Sequence, residues 1–194
     1  MARVSKKKEL LDHMIREEIV TTLLDLISRD KAVTMDAIAA ECGVAKGTLY
    51  NYFKNKRELI NYVHQTMITP IKEANRTIFD SDKPLRDQLH EFVKAVFGFQ
   101  KAYPLYFRFI QSQRTAYEAD RERFEFVILP LMKLCSKGMQ KGEFVKSDPY
   151  VMASMIYGTV IGPLQNLKER EKEHPKLETI KKDIICLLDR MMLK

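Results

Sequence analysis

The chain has 194 residues, with 33 Lys/Arg against 26 Asp/Glu and a net charge of +7, enough length for one large or two small domains and a balance that suits a polyanionic partner. Its three cysteines, Cys42, Cys135 and Cys186, lie far apart without CxxC spacing, which fits buried thiols in a reducing compartment and argues against disulfides or zinc. No apolar run nears the roughly 20 residues that cross a bilayer, and no apolar segment follows the charged N-terminus, so a cytoplasmic protein is expected, neither exported nor inserted in a membrane.

The periodicity predicts a first helix from about Lys6 to Ser28, with Leu11, Ile15, Ile19, Leu23 and Leu26/Ile27 on one face. Arg3, Lys6, Lys7 and Lys8 precede or open it as a basic tail, which is either a solvated end or an arm along phosphates. The segment Thr34 to Leu59, TMDAIAAECGVAKGTLYNYFKNKREL, then reads as a helix-turn-helix. Thr34 is placed to cap a helix running to about Cys42, and Asp36 puts negative charge in its first turn. Ile38 faces inward, Ala39 and Ala40 permit close approach of a second helix, and Gly43 can take the left-handed conformation that ends the first.

The second helix starts near Ala45. Leu49 and Phe53, four apart, turn inward and leave Lys46, Gly47, Thr48, Tyr50, Asn51 and Tyr52 outside or at the rim. These residue types suit duplex DNA: Lys46 and Asn51 as base readers, Thr48, Tyr50 and Tyr52 as hydroxyls for phosphate oxygens. Gly47 costs a helix about 1 kcal/mol against alanine, a cost more easily understood where backbone approaches a groove wall. Asn55 can cap the next helix, and Lys56 at its N-terminus makes a corner for a phosphate. Residues 1–60 hold 11 Lys/Arg against 9 Asp/Glu, so this region is not basic all over; its positive charge is clustered in the tail and at Lys46, Lys54, Lys56 and Arg57. Taken singly, these residues would equally suit the solvated face of a small bundle; their joint spacing favours DNA.

The run AIAAECGVAKGTLYNYFKNKRELI resembles the N-terminal domain of the tetracycline-repressor (TetR) family of bacterial transcriptional regulators. The resemblance covers about the first third of the chain. It rests on the small residues before the turn, the turn glycine, the GTLYNYF helix and the lysine of FKNKREL. One departure lies upstream, where SRDKAVTMDAIA replaces the glycine-containing turn usual in the family. The resemblance implies an all-α protein: a three-helix DNA-binding domain over residues 1–54, then a helical ligand-binding and dimerisation domain over 55–194 that begins with the linking helix.

Further along, the linking helix from Asn55 carries Leu59, Tyr62, Val63 and Met67 and meets Pro70, which removes one backbone donor. SDKP at Ser81–Pro84 closes it. A helix from Leu85 to Ala102 is broken by Tyr103-Pro104, and another ends near Arg114. A longer helix from Glu118 to Lys141 contains Pro130, and KGEF makes the next turn. Ser147 or Asp148 with Pro149 opens a helix to about Glu173, and His174-Pro175 separates that from the last one.

Met152, Met155, Ile156, Thr159 and Val160 on one of these helices, with Ile184, Leu187, Leu188 and Met191 on the next, form stripes that suit a four-helix interface with a second copy; one monomer's core is the competing reading. A dimer is favoured because one recognition helix makes few contacts, whereas two read a two-fold operator. The middle helices are rich in aromatics, and a pocket there would suit a hydrophobic or aromatic small-molecule effector, with Phe92, Tyr103, Phe107 and Tyr157 favoured as contacts. Ordinary core produces the same stripes.

The sequence therefore points to a homodimeric, ligand-responsive regulator of double-stranded operator DNA, a repressor in its simplest form, with no cofactor or metal. An enzyme would need a convergent set of nucleophile, base or metal ligands, yet His13, His64, His90 and His174 are scattered and no HExxH, GxSxG or phosphate-loop pattern occurs. A helical adaptor that uses the basic face for an acidic protein partner is the other alternative, distinguished by binding that ignores duplex DNA.

Overall fold

The computed structural model describes residues 2–165 and 176–192, which form helices joined by short connections, with no strand among them. The all-α architecture expected from the sequence is what the chain adopts. It divides into two compact units. The first comprises the residues up to Ile68 together with Tyr103–Gln113; the second comprises Thr69–Ala102 and the residues from Arg114 onward.

The first unit is built from α1 (Ala2–Ser28), α2 (Met35–Glu41), α3 (Lys46–Tyr52), the opening turns of α4 (Lys56–Phe79) and α6 (Tyr106–Gln113). Ile19, Leu23 and Leu26 of α1 are buried with Ile38 of α2, Leu49 and Phe53 at α3, and Leu59 and Val63 of α4. Leu11, expected on the inward stripe of α1, is exposed. Thr34 caps α2 by accepting from the Ala37 N–H at 3.1 Å, and Asn55 caps α4 by accepting from the Glu58 N–H at 2.9 Å.

The departure from the family pattern upstream of α2 has a simple resolution. Asp30 stands where a glycine would, with φ +53°, and aspartate is among the few non-glycine residues that visit this left-handed region. Lys31 N–H donates to Leu26 O at 2.9 Å and Asp30 N–H to Ile27 O at 3.0 Å, the paired bonds that close a Schellman motif. Gly43, φ +68°, ends α2 in the same way, with Val44 N–H on Ala39 O and Gly43 N–H on Ala40 O. Both ends of the α1–α2–α3 path are thus fixed by backbone bonds.

The second unit contains the rest of α4, α5 (Leu85–Ala102), α7 (Ala116–Arg123), α8 (Leu129–Lys141), α9 (Pro149–Gln165) and α10 (Leu177–Met192). α4 runs through Pro70 without ending. The helix expected from Glu118 to Lys141 starts earlier, at a capping box made by Thr115 and Glu118, and is not uniform. Pro130 has no N–H for the carbonyl of Phe126, and just ahead of it the helix widens into a π segment, Phe124–Ile128. Asp148, not Ser147, caps α9, accepting from the Tyr150 and Val151 N–H groups at 2.8 and 3.0 Å. The expected continuation of α9 toward Glu173 and the break at His174-Pro175 lie outside the described residues.

The core of this unit joins Leu85, Leu89, Phe92 and Val93 of α5 to Leu131, Leu134 and Cys135 of α8, to α9, and to Ile184 and Leu188 of α10. Burial pushes the Cys135 thiol up to about 12, as suits an inert core sulfur. Gly142, φ +74°, turns the chain after α8 so that Phe144 folds back over Gly138. A Cβ on Gly138 would lie 2.4 Å from the Phe144 ring. Gly138→Ala should therefore lower unfolding stability by about 1–3 kcal/mol, measured by urea denaturation, and Phe144→Leu should cost less in the alanine background than alone. Strict additivity of the two would refute the contact.

Candidate functional site

The outward face of α3 is a small, dense array of polar groups. Lys46, Gly47 and Asn51 are exposed, Tyr50 keeps 42% of its surface, and Thr48, Tyr52 and Lys56 are half-buried at the rim. The inward face is held by Leu49 and, at the C-cap, Phe53, at 0% and 1% exposure. A Cβ on Gly47 would meet nothing within 4 Å, so packing does not require the glycine. Backbone at this position is open to close approach from outside.

Residues elsewhere in the chain condition this face in ways that spacing does not reveal. The Lys46 ammonium lies 2.6 Å from the Asp36 carboxylate, both well exposed, and the bond to Asp36 raises the lysine's pKa. Tyr52 donates its hydroxyl to Asp12 of α1 at 3.2 Å, and burial together with that bond raises its pKa. The Arg16 guanidinium sits 5.0 Å from the Phe53 ring centre, 5.2 Å from Tyr62 and 5.7 Å from Tyr52, within cation–π range of all three. Asp12, Arg16 and Asp36 were not legible as neighbours of the recognition helix; each belongs to another helix and is brought in only by the fold. The side chains of Arg3, Lys6, Lys7 and Lys8 lie outside the described residues.

The second unit holds a cavity of about 460 Å³ between the end of α4, Gln88 of α5 and the π segment with α8. Phe79, Phe126, Pro130 and Leu134 supply its apolar walls. Of the four residues favoured as ligand contacts, Phe92, Tyr103 and Tyr157 do not line it. Phe92 is in the core at 1% exposure, behind Phe79 with ring centres 5.6 Å apart. Tyr157 packs under the Arg123 guanidinium at 5.6 Å. Tyr103 belongs to the first unit, and the Phe107 side chain lies outside the described residues. Phe92 fills the core, Tyr103 is exposed, and the aromatic walls of the cavity come instead from Phe79 and Phe126.

Of the stripes expected to meet a second copy, the protomer's own core takes Met152, Ile156, Val160, Ile184 and Leu188, all at 5% exposure or less. Helical period reports that a face is apolar, not what covers it, and here the same chain covers it. Met155 and Leu187 remain about half exposed, Thr159 is half-buried, and the Met191 side chain lies outside the described residues. Tyr150 and Val151 add two further exposed apolar groups at the start of α9. Among the described residues there is no group of three or more His, Cys, Asp or Glu able to hold a metal, and no helix is long and apolar enough to cross a membrane.

A capped two-helix motif with an open, hydroxyl- and amide-bearing second helix, followed by a separate helical unit, defines a helix-turn-helix DNA-binding regulator. Residues 31–63 match the family described as bacterial regulatory proteins, tetR family. The chain is 28% identical over 169 residues to the HTH-type transcriptional regulator YhgD of Bacillus subtilis, covering 84% of this chain and 86% of that protein. Its fold is similar to that of the transcriptional regulator FadR of Bacillus subtilis in complex with stearoyl-CoA, with a TM-score of 0.73 at 19% identity over 89% of this chain and 96% of that one. It is also similar to SmeT in its triclosan complex, with a TM-score of 0.72 at 17% identity over 93% and 92% of the two chains. The match to the TetR family thus falls on the helix-turn-helix itself, and the relative that is similar over most of the chain is an HTH-type transcriptional regulator.

The two tyrosines of α3 should behave differently. Tyr50 is exposed and the Tyr52 hydroxyl is already bonded to Asp12. Tyr50→Phe is expected to weaken binding to duplex DNA about tenfold, the size of one lost bond to a charged partner, and Tyr52→Phe to change it less than about threefold on the same scale. Equal losses in a fluorescence-anisotropy titration would overturn this ordering.

Proposed function

We propose that the chain is a homodimeric repressor that binds a two-fold operator through α3 and is released by a small-molecule effector held in its second unit. The observation that carries the DNA reading is the open face of α3, where Lys46, Gly47, Thr48, Tyr50 and Asn51 stand outward on a helix pinned from behind by Leu49 and Phe53. In this reading Lys46 and Asn51 reach base edges, Thr48 and Tyr50 reach phosphates, Tyr52 keeps its hydroxyl on Asp12 at the rim, and Lys56 at the start of α4 adds a cation beside helix N–H groups. The Lys46–Asp36 pair is exposed, and such pairs contribute little, so a phosphate or guanine can replace Asp36 at small cost.

Dimerisation follows from the geometry of reading: two recognition helices set about 34–36 Å apart contact successive major grooves. The surface offered for it is the exposed remainder of α9 and α10, with Val151, Met155 and Leu187 as anchors. The effector reading draws support from the cavity beside the end of α4, since α4 begins at the DNA-binding unit and ends as a cavity wall. Two of the structural relatives above carry organic ligands, triclosan and stearoyl-CoA. A ligand bound there loosens the operator only to the extent that it prefers the non-binding arrangement. A regulator of this kind works in the cytoplasm, where the DNA is.

The test is selection of duplexes from a random pool at two salt concentrations. A palindromic consensus is expected, and the absence of any retained duplex at low salt would favour the adaptor alternative. On the selected duplex, Lys56→Ala should weaken binding evenly across sequences and reduce the slope of log K against log salt by about 1. An unchanged slope would remove Lys56 from the interface. For the dimer, Leu187→Glu is expected to give monomers in analytical ultracentrifugation while circular dichroism stays unchanged, and to abolish preference for the palindrome over a half-site. A dimeric Leu187→Glu protein would move the interface elsewhere.

A further inference from the structure

We propose that the cavity of the second unit recognises its ligand through a hydrogen-bond donor: a hydroxyl or amino group on a small apolar body, received by the side-chain carbonyl oxygens of Asn75 and Gln88. The proposal rests on the reading of the chain as an effector-controlled regulator and specifies the polar chemistry of the effector.

Asn75 and Gln88 both line the cavity and are 5% and 1% exposed. Among the described residues no group hydrogen-bonds to Oδ1 of Asn75 or Oε1 of Gln88. Buried polar atoms are nearly always paired, and each exception calls for a reason. The orientation of Gln88 is set by its own nitrogen, which donates to Ser81 O at 3.0 Å and Lys83 O at 2.8 Å. Flipping the amide would put its oxygen against two carbonyls, so the oxygen is the atom left without a partner in this cavity-lining side chain.

Two buried acceptors select for a donor and against a carboxylate or phosphate, whose oxygens could not pair with either amide oxygen. The charges around the cavity do not reverse this. Lys72 is 2.8 Å from Glu122 and 3.9 Å above the Phe126 ring, and Arg76 is 3.5 Å from Asp80. At the mouth, exposed Lys133 and Lys137 are matched by exposed Glu73 and Glu125. Phe79, Phe126, Pro130 and Leu134 supply the apolar surface for the ligand body, and about 460 Å³ is a volume that admits a small organic molecule. The π segment bearing Phe126 is a second mark of a site, since such bulges recur at functional positions.

The experiment is calorimetric titration of the full chain with 2-naphthol, 4-phenylphenol and 1-decanol, each against its own methyl ether, which keeps the body and the acceptor oxygen but removes the donor. At least one alcohol is expected to bind tenfold or more tightly than its ether. Asn75→Leu and Asn75→Ala should each bring that ratio below threefold. If no alcohol outbinds its ether, or if the ratio survives in a folded Asn75 variant, the donor site is overturned. Retention of duplex DNA, measured alongside with and without the alcohol, separates the two ideas. Duplex binding with no alcohol preference defeats the donor site and leaves the regulator, whereas alcohol preference without duplex binding supports the donor site and defeats the regulator.

Discussion

A helix of seven residues has no stability of its own in water, where isolated helices need roughly twice that length even with favourable sequences. α3 carries a further handicap in Gly47, about 1 kcal/mol against alanine. It keeps its shape because Leu49 and Phe53 are buried almost completely, each contributing about 1.5–3 kcal/mol of hydrophobic stabilisation. Every outward residue of the DNA-facing surface takes its direction from those two side chains. The turns on either side serve the same constraint, since Asp30 and Gly43 close backbone bonds that fix where α2 begins and where α3 can start.

Much of this was legible in the residues. Thr34, Asn55 and the 34–59 motif announce helix starts through groups whose chemistry is local, and the inward pair Leu49 and Phe53 follows from helical period alone. Legibility failed where a feature depends on what the rest of the chain brings near. The apolar faces of α9 and α10 were readable as faces, but only packing could say that Met152, Ile156, Val160, Ile184 and Leu188 meet their own protomer. The aromatic stripes were likewise readable as apolar and uninformative about cavities. Asn75 and Gln88 carry no local mark, because an amide on a helix is ordinary until its surroundings leave its oxygen without a donor.

α4 connects these levels. Its first turn is capped by Asn55 and carries Lys56, its middle buries His64, whose Nδ1 lies 2.9 Å from the buried Tyr106 hydroxyl of α6, and its last turns wall the cavity. In the proposed reading, an effector beside Asn75 and Phe79 would act on the DNA-binding unit through this helix. The size of any response is still bounded by the ligand's preference between states, and coupling of a few kcal/mol corresponds to the tenfold-and-more changes that regulation needs.

Natural sequences tend to break local rules where function demands it and to satisfy them elsewhere. Here the breaks fall in two places. On α3, an open glycine sits mid-helix where alanine would be better and nothing in the fold requires the smaller residue. In the second unit, two buried amide oxygens lack donors, a cost of about 1–3 kcal/mol for each, beside a helix widened at Phe124–Ile128. The rest of the described chain shows the opposite habit: caps at Thr34, Asn55, Thr115 and Asp148, closed Schellman turns, and a core in which Gly138 makes room for Phe144. In the two proposed readings, stability is conceded where a groove wall and a small donor-bearing molecule would supply what the protein leaves unmade.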